Sequence, residues 1–335
     1  MQELSEKILA WYDANKRDLP WRHTQDPYRI WLSEIMCQQT RVETVIPYYE
    51  RFLAQLETIE TLANCPEDRL LKLWEGLGYY RRVLNMQKAA RECMDLYDGK
   101  LPQKYEDLSK LSGIGEYTAG AIASIAYGEK RLAIDGNVLR IFSRHFALAY
   151  QATDPKLKRA VQEIMQDLPE RIGDFNQGWM DLGAMVCTPK NPQCALCPLN
   201  DSCRAYALKD VQGFPLKKDK KAKPMEYYTV EIYVCENQVL LHKRDNDGLL
   251  ANLYEFVCQA GCKELEDYPQ GTLCLGNACH VFSHKIWRMQ GYLIPCLEQF
   301  EKAGYFWDDI ESVETKYSFP TAYQAYVHAL LERKR

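Results

Sequence analysis

Four cysteines in one short segment constrain this chain more than any other feature. In CTPKNPQCALCPLNDSC (187–203), the residues Cys187, Cys194, Cys197 and Cys203 are separated by six, two and five residues. Thiols this close together, with Pro, Asn and Asp between them, indicate a metal centre that holds either zinc or an iron–sulfur cluster. Structural zinc sites usually pair two short Cys loops. This segment has one such loop, so the spacing favours a [4Fe–4S] cluster.

The remaining cysteines and the N-terminal sequence indicate the cellular compartment of the protein. Of the 13 cysteines, four lie in this segment and nine are scattered along the chain. Most of these nine are best interpreted as small buried apolar residues. The N-terminus mixes charged residues into every turn, and no run of about 18 apolar residues occurs anywhere. We therefore expect no membrane partner and a cytoplasmic protein, associated with the nucleoid if the source is bacterial. In that reducing compartment thiols stay free unless a metal binds them.

Hydrophobic patterning divides the chain into two regions. The 335 residues are enough for two domains, and 47% hydrophobic with 26% charged residues is typical of a globular protein. Apolar residues recur every three or four positions through residues 1–213, which predicts an all-α region. Residues 227–335 contain β-branched and aromatic runs, with a hairpin around ENQ and a closing helix, which predicts an α+β region.

A lysine-rich segment separates these regions. FPLKKDKKAKPME (214–226) contains five lysines and two prolines, a composition that resists packing and is typical of a linker. A solvated tether is the favoured interpretation, although the lysines also suit contact with nucleic acid. The net charge of −4 indicates no polyanion partner by itself.

A glycine turn between two helical stretches forms a second motif. LSKLSGIGEYTAGAIAS (108–124) places Gly113 and Gly115 before a helix, where consecutive backbone N–H groups suit a DNA phosphate. Twenty residues beyond Gly115, AIDGNVLR places Asp135 at the start of another helix. From the residues alone, Asp135 is equally well a helix N-cap or a functional carboxylate.

These motifs together resemble a known family. LSGIGEYTAGA, DGNVLR and the cysteine run resemble the endonuclease III superfamily of DNA base-excision glycosylases. WLSEIMCQQTRVETVIPYYERF, LWEGLGYYRR and FNQGWMDLGAMVCTP are similar to its MutY family of adenine DNA glycosylases. The resemblance covers essentially the whole chain and implies three parts. They are a helix-hairpin-helix core with the hairpin at about 105–125, a [4Fe–4S] loop at 187–203, and a C-terminal domain related to Nudix hydrolases at 227–335.

The resemblance also implies an activity. The partner would be double-stranded DNA in which adenine is mispaired with 8-oxoguanine or guanine. A monomeric enzyme would flip the adenine out of the stack and hydrolyse its N-glycosidic bond. Nothing in the sequence resembles a flavin or haem site, so a structural role for the cluster is favoured. The loop that the cluster folds would present Lys190, with Arg204 nearby, to DNA phosphates.

Three departures from the family pattern bear on this activity. Ser112 stands in the hairpin where the family often has proline. Tyr117 stands where bifunctional relatives have the lysine that forms a Schiff base, so no strand cleavage by that route is expected. GLLANLYEFV is not followed by the carboxylates that bind metal in a Nudix pyrophosphatase. The C-terminal domain is therefore predicted to recognise the lesion without hydrolysing a nucleotide.

The chemistry requires two carboxyl groups with different pKa values. By the resemblance, Glu34 protonates the adenine, and its apolar neighbours in WLSEIMC would raise its pKa. Without the resemblance, an exposed glutamate in a salt bridge is favoured there. Asp135 would stay ionised, held by backbone N–H groups, and would stabilise the oxocarbenium ion or attack the anomeric carbon. Tyr117 and Asn137 would orient this pair.

The resemblance assigns the remaining contacts in groups. The residues that would line the adenine pocket are Arg17, Leu19, Trp21, Arg22 and Gln177. The residues that would fill or flank the gap in the stack are Gln39 and Thr40. The residues that would wedge beside 8-oxoguanine are Leu77 and Tyr79, and those that would read it are Phe282, Ser283 and His284. Leu19 and Trp21 also suit a plain core, and the reading residues also suit an ordinary strand.

Two other functions remain open from the sequence. One is a pyrimidine-lesion glycosylase and lyase like endonuclease III, against which Tyr117 and the extra domain speak. The other is a DNA-binding protein without catalysis that uses an iron–sulfur module. The presence of both Glu34 and Asp135 at motif positions speaks against it.

Overall fold

The computed structural model describes residues 2–217 and 222–332, which form two compact units. Their described parts are residues 2–64 with 85–217, and residues 65–84 with 222–332. The first unit is helical, and the second is built on a β-sheet, so the predicted fold class is confirmed. No helix within the described residues is long and apolar enough to cross a lipid bilayer.

The helices and strands follow one another in two blocks. The helices before the sheet are α1 (Gln2–Asn15), α2 (Pro27–Met36), α3 (Val42–Gln55), α4 (Ile59–Ala63), α5 (Glu67–Trp74), α6 (Arg81–Leu96), α7 (Tyr105–Leu108), α8 (Glu116–Tyr127), α9 (Gly136–His145), α10 (Pro155–Ile164), α11 (Ile172–Met185) and α12 (Arg204–Ala207). The later elements are β1 (Met225–Cys235), β2 (Gln238–Lys243), β3 (Tyr254–Glu255), β4 (Val257–Ala260), β5 (Leu273–Val281), β6 (Ile286–Pro295), β7 (Tyr305–Asp309), α13 (Ile310–Thr315) and α14 (Gln324–Glu332).

The first unit packs around helices whose sequences are apolar on more than one side. Residues 118–124 of α8 are all buried, as expected for a run of small and apolar residues. Helix α11 packs against α1, α8 and α9. Phe142, Phe175 and Trp179 fill the space between these helices. This core fixes the ends of α8, α9 and α11, where the predicted catalytic residues lie.

Asn176 links these three helices through buried hydrogen bonds. Its side chain is completely buried on α11. The amide oxygen accepts from the backbone N–H of Ala133 at 3.1 Å. The amide nitrogen donates to Ser124 Oγ and to the Arg131 carbonyl, both at 2.8 Å. Since Ala133 lies two residues before Asp135, this network positions the segment that leads to α9.

The second unit is a mixed sheet with the strand order β3-β2-β1-β6-β5. Strand β4 pairs with β1, and β7 pairs with β2. Strands β1 and β6 run parallel, and the remaining pairs are antiparallel. The hairpin predicted around ENQ is the turn between β1 and β2, and the predicted closing helix is α14. Both predictions are confirmed.

Residues 65–84 belong to this second unit although they lie early in the chain. Lys72 Nζ donates to the Tyr317 carbonyl at 2.8 Å, and Ser318 Oγ donates to the Leu71 carbonyl at 3.2 Å. The backbone N–H of Phe319 donates to Glu75 Oε1 at 2.8 Å. Helix α5 and the loop after it are therefore fastened to the segment between α13 and α14.

The ends of the predicted linker are ordered. Arg144 donates to the Phe214 carbonyl, and the Leu216 N–H donates to the Tyr150 carbonyl, which ties residues 214–216 to the first unit. Strand β1 begins at Met225. Residues 218–221 of the predicted linker lie outside the described residues.

We predict that Asn176→Ala lowers the free energy of unfolding by about 3 kcal/mol, because it removes three buried hydrogen bonds, to Ser124 Oγ, the Arg131 carbonyl and the Ala133 N–H. The matched control is Asn15→Ala, which removes one exposed hydrogen bond to the Trp11 carbonyl. The control should change stability by less than about 0.5 kcal/mol. Urea unfolding of both variants tests this. Equal midpoints would contradict the role given to Asn176.

Candidate active site

One cavity in the first unit collects most of the predicted site. Its volume is about 430 Å³, within the roughly 300–1,000 Å³ that is usual for small-ligand pockets. The predicted residues that line it are Arg17, Leu19, Trp21, Arg22, Glu34, Thr40, Tyr117, Asp135, Asn137 and Gln177. Leu19 and Trp21 are buried and contribute to the core as well as to the cavity wall.

Glu34 lies on α2 and reaches the cavity between buried apolar neighbours. Ile35 and Met36 beside it are buried. Burial raises the pKa of Glu34 to about 7, and the nearby Asp135 adds to the rise. The Tyr117 hydroxyl donates to Glu34 Oε2 at 2.6 Å, which opposes the rise, as does the charge of Arg22. The predicted rise in the pKa of Glu34 agrees with this geometry, and among the described residues Glu34 makes no ion pair of the kind the alternative required.

Asp135 caps the N-terminus of α9 and faces the same cavity. Its Oδ1 accepts from the Val138 N–H at 2.8 Å, and its Oδ2 accepts from Asn137 Nδ2 at 2.6 Å. It is thus an N-cap and a cavity residue at once. Burial raises the pKa of Asp135 above its ordinary value, although these hydrogen bonds lower it. The expectation that Asp135 stays ionised remains a prediction.

A relay of hydrogen bonds continues from Asp135. Arg140 Nη2 donates to Asn137 Oδ1 and to the Gly183 carbonyl, each at 2.8 Å. Arg140 Nε donates to the Cys187 carbonyl at 2.8 Å. Gly183 admits the Asn137 side chain, because a Cβ there would lie only 2.4 Å from Asn137 Cβ. Asn137 is therefore held in one position between Asp135 and the cysteine segment.

An arginine pair forms another wall of the cavity around a residue that the sequence analysis missed. Asp181 is completely buried on α11 and pairs with both Arg17 and Arg22. Arg22 Nε also donates to Gln177 Oε1 at 3.1 Å. Asp181 has no strong local signal, because it lies in the stretch WMDLGAM (179–185) and nothing near it in the sequence indicates its two arginine partners.

A second depression of about 630 Å³ joins the cavity to the glycine turn. It shares Glu34, Tyr117, Asp135 and Asn137 with the cavity and is also lined by predicted contacts to DNA, which are Gln39, Gly113 and Gly115. Gln39 is exposed, and its φ of 59° is uncommon for a residue other than glycine. The catalytic carboxylates and the predicted phosphate site thus open onto one surface.

Glu92 fixes the glycine turn in a way that the sequence analysis also missed. The Ser112 N–H and hydroxyl donate to the two Glu92 oxygens at 2.8 and 2.6 Å. Gly113 follows with a φ of 75° and packs against Asn85, where a Cβ would lie 2.6 Å from Asn85 Cβ. A serine in place of the family's proline therefore gains two hydrogen bonds that proline could not donate.

The two predicted wedge residues differ in exposure. Both belong to the second unit. Tyr79 is 52% exposed with a φ of 48°, whereas Leu77 is buried. Arg82 donates to the Leu77 and Gly78 carbonyls at 3.1 Å, and its guanidinium lies over the Tyr79 ring. Leu77 therefore supports the loop from inside, and Tyr79 is its exposed tip. The wedge roles of both residues remain predictions.

The predicted reading residues form the turn between β5 and β6. The Phe282 N–H donates to the Lys285 carbonyl at 2.9 Å, which closes the turn. Ser283 and His284 are exposed, and the Phe282 ring packs on Trp287 and His280. Lys223 Nζ donates to the Phe282 carbonyl at 2.7 Å. The backbone of this turn is fixed, and Ser283 Oγ and His284 Nδ1 lie 3.4 Å apart, within hydrogen-bond distance of each other.

The four cysteines of residues 187–203 line one cavity together with Arg144. Arg144 is buried and donates to Cys187 Sγ at 3.3 Å, to the Thr188 carbonyl at 2.8 Å and to the Pro189 carbonyl at 3.1 Å. Within residues 2–217 and 222–332, no three His, Cys, Asp or Glu side chains converge closely enough for a single metal ion. Four thiols that line one cavity are the ligands that an iron–sulfur cluster requires.

The loop inside this segment presents basic residues to solvent. Lys190 and Arg204 are both exposed. The Lys190 carbonyl accepts from Gln212 Nε2 at 2.5 Å, so the backbone at Lys190 is held while its side chain is not.

Comparison with family models identifies the same three parts. Residues 32–167 match the HhH-GPD superfamily of base excision DNA repair proteins, and residues 229–329 match the NUDIX domain. Residues 187–203, from the first to the last of the four cysteines, match the iron–sulfur binding domain of endonuclease III. The chain therefore carries an iron–sulfur cluster site, and the predicted cofactor is confirmed.

Known proteins are similar over most of the chain. An adenine DNA glycosylase of Buchnera aphidicola subsp. Schizaphis graminum is 38% identical over 75% of this chain and 74% of its own length. The adenine DNA glycosylase of Homo sapiens is 42% identical over 83% of this chain and 64% of its own length. A thermostable thymine-DNA glycosylase of known structure is 28% identical, with a TM-score of 0.56, over 61% of this chain and 95% of that chain.

We predict that Tyr117→Phe raises the pKa of Glu34 above about 7, because it removes the one hydroxyl that donates to the ionised carboxylate. A carboxyl NMR titration of selectively labelled glutamate measures the change. The matched control is Tyr127→Phe on the same helix, whose hydroxyl donates to the Leu101 carbonyl instead. An unchanged or lower Glu34 pKa in Tyr117→Phe would contradict the assignment.

Proposed function

The chain belongs to the adenine DNA glycosylase family, and we propose that it removes adenine paired with 8-oxoguanine, and also with guanine, from duplex DNA. The enzyme hydrolyses an N-glycosidic bond in base excision repair. The observation that carries the proposed mechanism is a cavity of base size in which two buried carboxyl groups have different hydrogen-bond surroundings. Tyr117 donates to Glu34, whereas the Val138 N–H and the Asn137 amide donate to Asp135.

Glu34 acts as the acid in this proposal. Adenine is a poor leaving group until it is protonated, so the acid must keep its proton near neutral pH. A pKa of about 7 meets that requirement. Tyr117 occupies Oε2, which leaves Oε1 to carry the proton to the base and later to accept one from water. Activity that depends on protonated Glu34 falls as the pH rises through about 7.

Asp135 acts on the sugar. Loss of the base leaves positive charge on the anomeric carbon, and a carboxylate within a water-poor cavity stabilises that charge or forms a bond to it. The Val138 N–H and the Asn137 amide both donate to Asp135, so both favour its ionised form. Arg140 in turn holds Asn137. These contacts support the roles proposed for Asp135 and Asn137.

DNA is bound along the surface that the cavity opens onto. Gly113 and Gly115 offer backbone N–H groups to a phosphate at the start of α8. Gln39 and Tyr79 are exposed residues with positive φ angles, a strained conformation that is often found at binding sites. When bound, the iron–sulfur cluster supplies bonds to four thiolates, which fix the loop that presents Lys190. The protein would act as a monomer on chromosomal DNA in the cytoplasm.

The second unit recognises 8-oxoguanine in this proposal. Ser283 and His284 project from a fixed turn and can hydrogen-bond to the edge that distinguishes 8-oxoguanine from guanine. Hydrolysis by this unit is disfavoured because Glu255 of LYEF is buried and its oxygens accept from His242, Arg244 and Tyr323. A carboxylate engaged in this way is not available to bind a metal ion.

We predict that Glu34→Gln abolishes adenine release but keeps binding to duplexes that contain the mispair, because glutamine fills the space and carries no acidic proton. Single-turnover excision and a gel-shift titration measure the two properties. The matched control is Glu43→Gln, which changes an exposed residue of the same cavity. Excision near the wild-type rate by Glu34→Gln would rule out Glu34 as the acid.

We predict that the double variant Ser283→Ala, His284→Ala lowers the preference for 8-oxoguanine over guanine opposite the adenine, because each lost hydrogen bond is worth about 0.5–1.5 kcal/mol. The two duplexes are compared at limiting substrate. Excision opposite guanine should change little. Asn277→Ala, at another exposed position on β5, is the control. If the double variant keeps the wild-type ratio, this turn is not the reader.

A further inference from the structure

Asp181 is a buried, charged residue. Its partners line the cavity, whereas Asp181 itself does not. Its carboxylate accepts from the Arg17 backbone N–H at 3.1 Å and from Arg17 Nε at 2.8 Å. It also accepts from Nη1 and Nη2 of Arg22 at 2.5 and 2.8 Å. Arg17 and Arg22 line the cavity, and Asp181 lies behind them. A carboxylate buried this deeply is stable only when such donors surround it.

The contact between Arg22 and Gln177 fixes which end of the Gln177 amide faces the cavity. Arg22 Nε lies 3.1 Å from the side-chain amide of Gln177. A guanidinium can only donate, so the amide atom that faces it must be the oxygen. The NH₂ group of Gln177 is thereby left for the cavity, which Gln177 also lines. Adenine has ring nitrogens that accept hydrogen bonds from such a donor.

The arginine pair also influences the acid. The positive charge of Arg22 acts on Glu34 and favours its ionised form. Asp181 offsets this charge. Burial by itself would raise the pKa of Asp181, but hydrogen bonds and charge from Arg22 and Arg17 bring it below its ordinary value. Asp181 is therefore ionised, and its negative charge offsets the positive charge of Arg22. The other charged or titratable groups around Glu34 are Tyr117 on α8, Asp135 before α9, Cys37 after α2, and Arg41 and Glu43 at the start of α3.

We propose that Asp181 is a positioning residue for base excision with two effects. Through Arg22 it holds the Gln177 amide with its NH₂ group toward the flipped base, and by neutralising the arginine pair it keeps the proton on Glu34. The inference rests on the proposed function, since it takes adenine to be the base in this cavity.

The test compares Asp181→Asn with Asp174→Asn. Both substitutions remove one negative charge from α11, but Asp174 lies two turns before Asp181, in the first turn of the helix, and pairs with Arg171. Asp181→Asn should lower the single-turnover rate roughly 10- to 100-fold, because the amide keeps one acceptor oxygen of two and its NH₂ group cannot accept from Arg22 or Arg17. It should also move the alkaline limb of the pH–rate profile to lower pH by about one unit, because the arginine charge then acts on Glu34 unopposed. Asp174→Asn should do neither.

A second variant separates the two effects. Arg22→Lys keeps the positive charge beside Asp181 but has no Nε–H to orient Gln177. The excision rate of Arg22→Lys should fall, while the alkaline limb of its pH–rate profile should stay at the same pH. Far-ultraviolet circular dichroism and the visible absorption of the cluster establish that each variant is folded. A carboxyl NMR titration of Glu34 in Asp181→Asn measures the charge effect without any need for activity.

The outcomes are distinguishable. If wild-type protein releases no adenine, the proposed function fails, and the titration alone then decides whether Asp181 controls Glu34. If wild-type protein is active but Asp181→Asn matches Asp174→Asn in rate and pH limb, the positioning role is wrong. A third outcome is a slower Asp181→Asn whose alkaline limb of the pH–rate profile and Glu34 pKa are unchanged. If Arg22→Lys is also fully active, Asp181 forms only a structural ion pair.

Discussion

Removal of water from one carboxyl group is the constraint on which the active-site architecture depends. The Tyr117 hydroxyl donates to Glu34, and the neighbouring residues Ser33, Ile35 and Met36 on α2 are buried. Desolvation therefore outweighs hydrogen bonding and raises the pKa of Glu34 to about 7. Asp135 lies on the same cavity but at a helix N-terminus, where a backbone N–H and an amide favour its charge. Two similar groups thus differ because α2 supplies apolar neighbours and α9 supplies donors.

Arginines extend this arrangement in two directions. Behind the base pocket, Arg22 joins Gln177 to Asp181. On the other side, Arg140 joins Asn137 to the carbonyl of Cys187, the first ligand position of the cluster site. The cysteine segment and the Asp135 carboxylate are therefore the ends of one chain of hydrogen bonds. A displacement of the cysteine segment would be transmitted to Asp135 through three hydrogen bonds that involve the side chains of Arg140 and Asn137.

Short-range patterns in the sequence predicted the parts of the site whose determinants are local. The cysteine spacing, the glycine turn and the Asp135 cap each depend on residues a few positions apart, and Glu34 is flanked by the apolar residues that bury it. Asp181 and Glu92 could not be found in this way, since their partners are 164 and 20 residues distant. Likewise, the direction of the Asp135 pKa depends on a balance between burial and hydrogen bonds that only coordinates reveal. The buried position of Leu77 had no local signal either.

The early segment 65–84 has a consequence for how the chain is made. Its helix α5 is fastened by residues 317–319, close to the C-terminus. During synthesis this segment leaves the ribosome long before residues 317–319 have been made. At the time when all residues of the first unit are available, the second unit therefore still lacks the residues that hold α5, and it cannot yet fold as a domain. The loop that carries Tyr79 acquires its final support only when almost the whole chain has emerged. A prematurely terminated chain would thus have both carboxylates and the cysteine loop, but an unsupported Tyr79.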